Sequence, residues 1–198
     1  MWKFLTTLID NLLRRKPTPV APAVPFQIID IVNQLEWHTT RRWAKRGLKQ
    51  IQKIVVHQAY ASYKKTTLEG VNKYHITPSP DNHLSPNGAP HIAYHYCIIG
   101  DGTIYQTNYL SNSTWHCAGE NTKSIGILVL GDFHGPTRVG ADGHPTRNQL
   151  VNLERLLNDL IELPELNISS QDVYGHKDFG KQNCPGIAVA RFLEEYKN

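Results

Sequence analysis

Ten histidines and three cysteines in a chain of 198 residues make metal ligation the first chemistry to consider. Position sorts most of the histidines. His91 and His95 are spaced as an H-x-x-x-H pair, which chelates from a helix. The segment HIAYHYCII is instead rich in strand-forming residues, and four residues along a strand separate the two by about 13 Å. His38, His83, His134 and His144 lie in Pro-, Gly- or Asp-rich or charged stretches and are expected in solvent. His75 follows Tyr74 at an expected helix end, where a positive or polar group is favoured. Three positions remain that suit a catalytic zinc ion. His57 ends the apolar run IVVH, where side chains project over a sheet edge. His176 closes the short stretch VYGH, and Cys184 lies eight residues later in a loop ended by Pro185-Gly186, long enough to double back. Two neutral imidazoles and a thiolate supply three ligands and leave the fourth tetrahedral position to water, as catalytic rather than structural zinc requires. His57 and His176 are 119 residues apart, so spacing proposes this trio without closing it.

The cysteines are too few and too unevenly placed for a disulfide framework. Cys97, inside YHYCII, reads as a small buried hydrophobe. Cys184 lies among polar residues, with little apolar core to join.

The elements that must position these groups read as a mixed sheet flanked by helices, an α/β architecture. Strands are expected at residues 53–57, at 92–100 and, apolar on both faces and therefore central, at 124–130. The Asp101-Gly102 pair should turn the second of these into a hairpin with residues 103–106. Residues 147–162 carry leucines at helical spacing, with Thr146 as N-cap. Shorter helices are expected at 68–75 and 187–196. At the front, MWKFLTTLIDNLLRRK places Trp2, Leu5, Leu8, Ile9, Leu12 and Leu13 near one helical face, and Arg14, Arg15 and Lys16 close it. The Pro-rich PTPVAPAVP follows as a stiff linker, so a boundary is expected near residue 25: an N-terminal extension over 1–25 and one domain over 26–198. The extension reads as a helix that docks on a protein partner or lies on a membrane surface. Asp10 and Asn11 interrupt its apolar stretch and its charges come last, unlike an export signal.

Charge and hydropathy remove other classes. Residues 1–53 hold ten Lys/Arg against three acids, whereas the remaining 145 residues are net acidic by three. The main body therefore lacks the basic stripe that nucleic acid demands. No apolar run approaches the roughly 20 residues that span a bilayer.

Four segments, IVVHQAY, PHIAYHYCIIGDGTIYQTN, STWHCAGENTKSIGILVLGDF and YGHKDFGKQNCPG, resemble in order the type-2 N-acetylmuramoyl-L-alanine amidases, a superfamily shared with phage lysozyme-type amidases and peptidoglycan recognition proteins. The resemblance covers roughly residues 50–196. It implies a mixed sheet with zinc in a surface groove, held by His57, His176 and Cys184. It implies hydrolysis of the amide between N-acetylmuramic acid and L-alanine in peptidoglycan or muropeptides, by a monomer. The family tyrosine corresponds to Tyr94, which in a strand faces opposite to His95. The resemblance places His116 in the groove as a substrate contact, with Trp115, Asn121 and Ser124 as further candidates and Trp115 leaning toward packing. Two departures stand out. The catalytic lysine that phage enzymes carry two residues before the cysteine is replaced by Gln182, with Lys181 one residue earlier, so either is a candidate to stabilise the oxyanion. The glutamate that cytosolic recycling amidases place after S-I-G-I is absent from Leu128, Val129 and Leu130, which leaves Tyr94 as the group to position water. Some relatives lack the cysteine and only bind peptidoglycan; that is the alternative function. Synthesis without an export signal, with action on the cell wall as in phage lysins, is the expected setting.

Overall fold

The computed structural model describes residues 25–134 and 142–198. Eight strands lie in the described residues: β1 (Ile28–Asp30), β2 (Ala44–Lys45), β3 (Lys53–Gln58), β4 (Tyr96–Ile98), β5 (Ile104–Gln106), β6 (Asn112–Ser113), β7 (Ser124–Val129) and β8 (Val173–Gly175). Three α-helices accompany them: α1 (Leu68–Ile76), α2 (Arg147–Ile161) and α3 (Ile187–Tyr196). The expected extension helix and nearly all of its linker lie outside the described residues. None of the described helices is long and apolar enough to cross a membrane.

The run SIGILVL fixes the centre. Every residue of β7 is buried, and the strand lies between β4 and β3 in a six-stranded sheet of order β1-β5-β4-β7-β3-β8. All neighbouring pairs are parallel except the β4–β5 hairpin, so this is the expected mixed sheet. Strands buried on both faces need cover on both. Ile54, Val56, Ile125, Ile127 and Val129 face one core with Leu153, Leu156, Leu157 and Leu160 of α2 and Val189 and Leu193 of α3. Cys97, Leu128 and Leu130 face the other with Leu68 of α1. His57 pairs in register with Leu128 and so projects on the α1 face.

Local chemistry accounts for the ends. Thr146 caps α2 by accepting from the Gln149 amide at 3.1 Å. The Gln149 side chain then donates to the Ile98 and Leu130 carbonyls at 3.2 and 2.8 Å, fastening the helix across two strand ends. At the hairpin, Gly102 has φ +98°, and a Cβ there would lie 2.7 Å from that of Asn148. The strand expected over 92–100 is shorter, because side chains replace the ladder before residue 95. Ile92 N–H donates to Asn72 Oδ1 at 2.7 Å and Ala93 N–H to His75 Nδ1 at 3.1 Å. Asn108 Nδ2 donates to the carbonyls of Ile92 and Tyr94 at 2.7 and 2.6 Å. The parallel edge strand β1 has no counterpart among the expected elements; three residues are too few to show a period.

Candidate metal centre and cavity

His57 stands near the carboxyl end of β3, and β8 runs parallel beside it with Gly175 in register with Val56. The next residue, His176, therefore emerges next to His57, and their ring centroids are 4.5 Å apart. Backbone bonds fold the following loop back on itself. Lys181 N–H donates to the His176 carbonyl at 3.2 Å, Cys184 N–H to that of Lys181 at 2.8 Å, and Lys177 N–H to that of Cys184 at 2.6 Å. The Gln58 side chain ties the loop to β3 by donating to the Asn183 carbonyl while accepting from the Phe133 amide. Cys184 Sγ thereby comes within 3.8 Å of His57 Nδ1. The ligand atoms of His57, His176 and Cys184 all lie within 4.8 Å of one another.

Burial sets the protonation of these groups. Burial, followed by the neighbouring His116 and His176, pushes the His57 pKa well below the ordinary 6.5. Burial and then Lys181 push that of His176 down to about 4. Burial pushes the Cys184 thiol up to about 12, against the pull of the Gln58 amide and Lys181. Two neutral imidazoles and a sulfur converging from three elements form a donor set suited to a borderline-soft divalent ion such as zinc.

The set opens on a cavity of about 730 Å³, walled by Tyr60, Tyr74, His83, Leu84, Tyr94, Lys181 and Gln182 among others. Tyr94 is half-buried, its ring 5.2 Å from that of His57. Burial, then the Cys184 sulfur, raises its pKa, so the phenol keeps its proton. Tyr94 lines the cavity while His95 is buried behind it, accepting from Gly126 N–H at 3.0 Å. Lys181 and Gln182 are both exposed on the cavity wall. After burial, the lysine charge also lowers the pKa values of His176 and His83.

Other expected positions fall elsewhere. Trp115 packs edge-on against Trp43 at 5.4 Å beneath the Arg41 guanidinium, away from the cavity wall. Asn121 Oδ1 accepts from the Cys117 amide at 2.8 Å, bracing a turn. Ser124 Oγ donates to the Glu120 carbonyl at 2.7 Å. His116 does reach the cavity, but it is buried and bonded to His57 at 3.0 Å. Three histidine assignments are corrected. His75 is buried, accepts from the Ala93 amide, and is pushed down to about 3 by burial, so it is neutral where a positive helix end was expected. His38 is half-buried, its Nδ1 accepting from the Thr40 and Arg41 amides, whereas His83 is exposed as expected and also lines the cavity. His134 is half-buried with Nδ1 2.8 Å from Asp132 Oδ1. Cys184, expected to have little to pack against, is buried inside the site. Sequence reasoning did not single out Tyr60, a cavity residue held at φ +54°. That strained conformation leaves no sequence signal at a tyrosine.

A mixed sheet that presents two imidazoles and a thiol in a cleft at the ends of its parallel strands defines an α/β protein with a His-His-Cys donor set open to ligand. Residues 47–187 match the family described as N-acetylmuramoyl-L-alanine amidase, and the chain belongs to that family. Peptidoglycan-recognition protein SC1a of Drosophila melanogaster is 28% identical over 170 residues, covering 82% of this chain and 83% of its own. The N-acetylmuramoyl-L-alanine amidase LysC of Clostridium intestinale URNW superposes with a TM-score of 0.65 at 25% identity, over 88% of this chain and 96% of that one. Drosophila peptidoglycan recognition protein SD shares the fold with a TM-score of 0.68 at 16% identity, over 86% and 95% of the two chains.

Proposed function

We propose that this protein is a zinc-dependent N-acetylmuramoyl-L-alanine amidase that hydrolyses the bond between the lactyl carbonyl of N-acetylmuramic acid and the L-alanine nitrogen of the stem peptide. The convergence of His57, His176 and Cys184 on the wall of the cavity carries this reading. Zinc bound there would supply Lewis-acid polarisation and a lowered pKa for water. Hydrolysis puts the water oxygen on the carbonyl carbon, breaks the C–N bond and delivers a proton to the departing nitrogen. Tyr94 is the group we assign to orient that water and assist its proton transfer, because its burial preserves an O–H beside His57. Lys181, the cavity cation whose charge reaches His176, is assigned to the developing oxyanion. A lone recognition module is the second reading, favoured by the similarity to recognition proteins. It has no use for a thiol and two imidazoles held this close.

The decisive experiment combines metal analysis with mass spectrometry of peptidoglycan incubated with the protein. Free stem peptides beginning with L-alanine are expected. Cleaved glycan strands with intact muropeptide amides would overturn the bond assignment, and binding without any product would leave the recognition reading.

A further inference from the structure

Behind the donor set lies a chain of contacts that ligand geometry alone does not require. His57 Nδ1 faces the Cys184 sulfur, and its Nε2 lies 3.0 Å from His116 Nδ1. The opposite nitrogen of His116, Nε2, lies 3.2 Å from Ser124 Oγ and 3.4 Å from the Ser124 carbonyl. Ser124 Oγ spends its own proton on the Glu120 carbonyl at 2.7 Å, so toward His116 it can only accept. His116 Nε2 must then carry a proton, and in the neutral ring Nδ1 is left as an acceptor. That acceptor receives a proton from His57 Nε2, which leaves the His57 Nδ1 lone pair directed at the sulfur. The fold makes room for this arrangement: a Cβ on Gly126 would lie 2.6 Å from Cγ of the His116 ring.

We propose that His116 is a positioning residue that fixes the ring orientation and tautomer of His57 through the Ser124–His116–His57 relay, and not a substrate contact. Both of its nitrogens are engaged within the protein, so neither is left to bind a substrate. The proposal rests on the reading of His57, His176 and Cys184 as a metal-holding set. Outer partners of ligating histidines typically contribute about 10- to 100-fold in metal affinity.

Two measurements test it. In wild-type protein loaded with zinc, long-range nitrogen–proton NMR should show His57 and His116 both protonated at Nε2. A proton on His116 Nδ1 overturns the relay. In chelator competition, His116→Leu should bind zinc about 10- to 100-fold more weakly, and His116→Asn, whose Oδ1 can replace Nδ1 as acceptor, should recover most of that loss. Cobalt-loaded His116→Leu should also show an altered visible spectrum. Unchanged zinc affinity and spectrum with a raised KM overturns the proposal in favour of substrate contact. Equal loss in both variants, with metal-free unfolding temperatures lowered alike, overturns it in favour of simple packing. Wild-type protein that binds neither zinc nor cobalt would overturn the metal reading itself, a result distinct from any of these.

Discussion

The Cys184 sulfur lies 3.8 Å from His57 Nδ1 across 127 residues of chain. Two devices hold it there: the turn that carries His176 off β8, and the Gln58 side chain that grips the 181–184 loop from β3. Losing the sulfur should therefore remove the ion without unravelling the loop. Cys184→Ala is expected to drop from about one zinc per chain to near none and to lose amide hydrolysis together with it. Atomic absorption and product analysis on the same sample check both. Retained metal would remove Cys184 from the donor set.

Tyr94 has a different dependence. Its main-chain carbonyl is held by Asn108 and by Thr107 Oγ1 at 2.8 Å, so the ring keeps its place when the hydroxyl is removed. Tyr94→Phe should bind zinc as the wild type does while kcat falls about 10²- to 10⁴-fold, the range for a lost acid–base group. Wild-type turnover in this variant would end its assigned role.

These two positions show how far the sequence could be read. His57 was legible because an apolar run ending in a polar residue marks the end of a covered strand, and β3 and β7 carry enough residues to declare themselves. The α2 cap was legible for the same local reason, a threonine before a leucine-spaced stretch. What stayed hidden depends on packing between remote segments. Nothing around His75 reveals that the Ala93 amide will donate to it. The sequence around His83 reads as a polar loop, and only the packing of that loop against the cavity makes it a wall residue. The strands β1 and β8 are three residues each and take their structure from the partners beside them. The family resemblance supplied the Cys184 partnership, which spacing left open.

His75 also gives the fold a pH signature. It titrates near 6.5 when exposed and near about 3 in the folded protein. Above pH 6.5 it is neutral in both states and stability does not depend on it. Below that, the unfolded chain takes up a proton that the folded one refuses, so stability falls by about 1.4 kcal/mol per pH unit from this group until its folded pKa is reached. Urea titrations with chelator at pH 7 and 5 should show this loss. His75→Asn, which retains an acceptor for the Ala93 amide, should make the dependence shallower by one group's share, the buried His57 and the depressed His176 keeping theirs. Parallel pH profiles for the two proteins would refute the assignment.

The domain boundary near residue 25 is testable by truncation. β1 pairs with β5, and Ile31, Val32 and Leu35 are buried just beyond it. A chain of residues 26–198 should fold and hydrolyse like the full protein, and any docking on partner or membrane by the first 25 residues should disappear. Starting instead at residue 36 removes three buried apolar side chains and an edge strand. At about 1.5 to 3 kcal/mol for each side chain, that loss approaches the whole stability of an ordinary domain. Thermal unfolding of the two chains checks the difference, and equal stability would place β1 outside the folding unit.

Lys181 and Gln182 are neighbours on one wall, and the family pattern alone does not choose between them. The charge does. Lys181 brings to the cavity wall a full positive charge, which adds to burial in lowering the pKa values of His176 and His83, whereas Gln182 offers only a neutral amide. An oxyanion forming beside the donor set gains more from the nearby full charge. Lys181→Met preserves the aliphatic stem, removes the ammonium, and should lower kcat about 10²- to 10³-fold with zinc content unchanged. Gln182→Leu should cost less than about threefold, because no transition-state charge depends on it. Steady-state kinetics on a soluble muropeptide separate the two variants. The opposite ranking would transfer the role to Gln182 and would mean that the loop places the residue two before the cysteine, not three, at the reacting carbonyl.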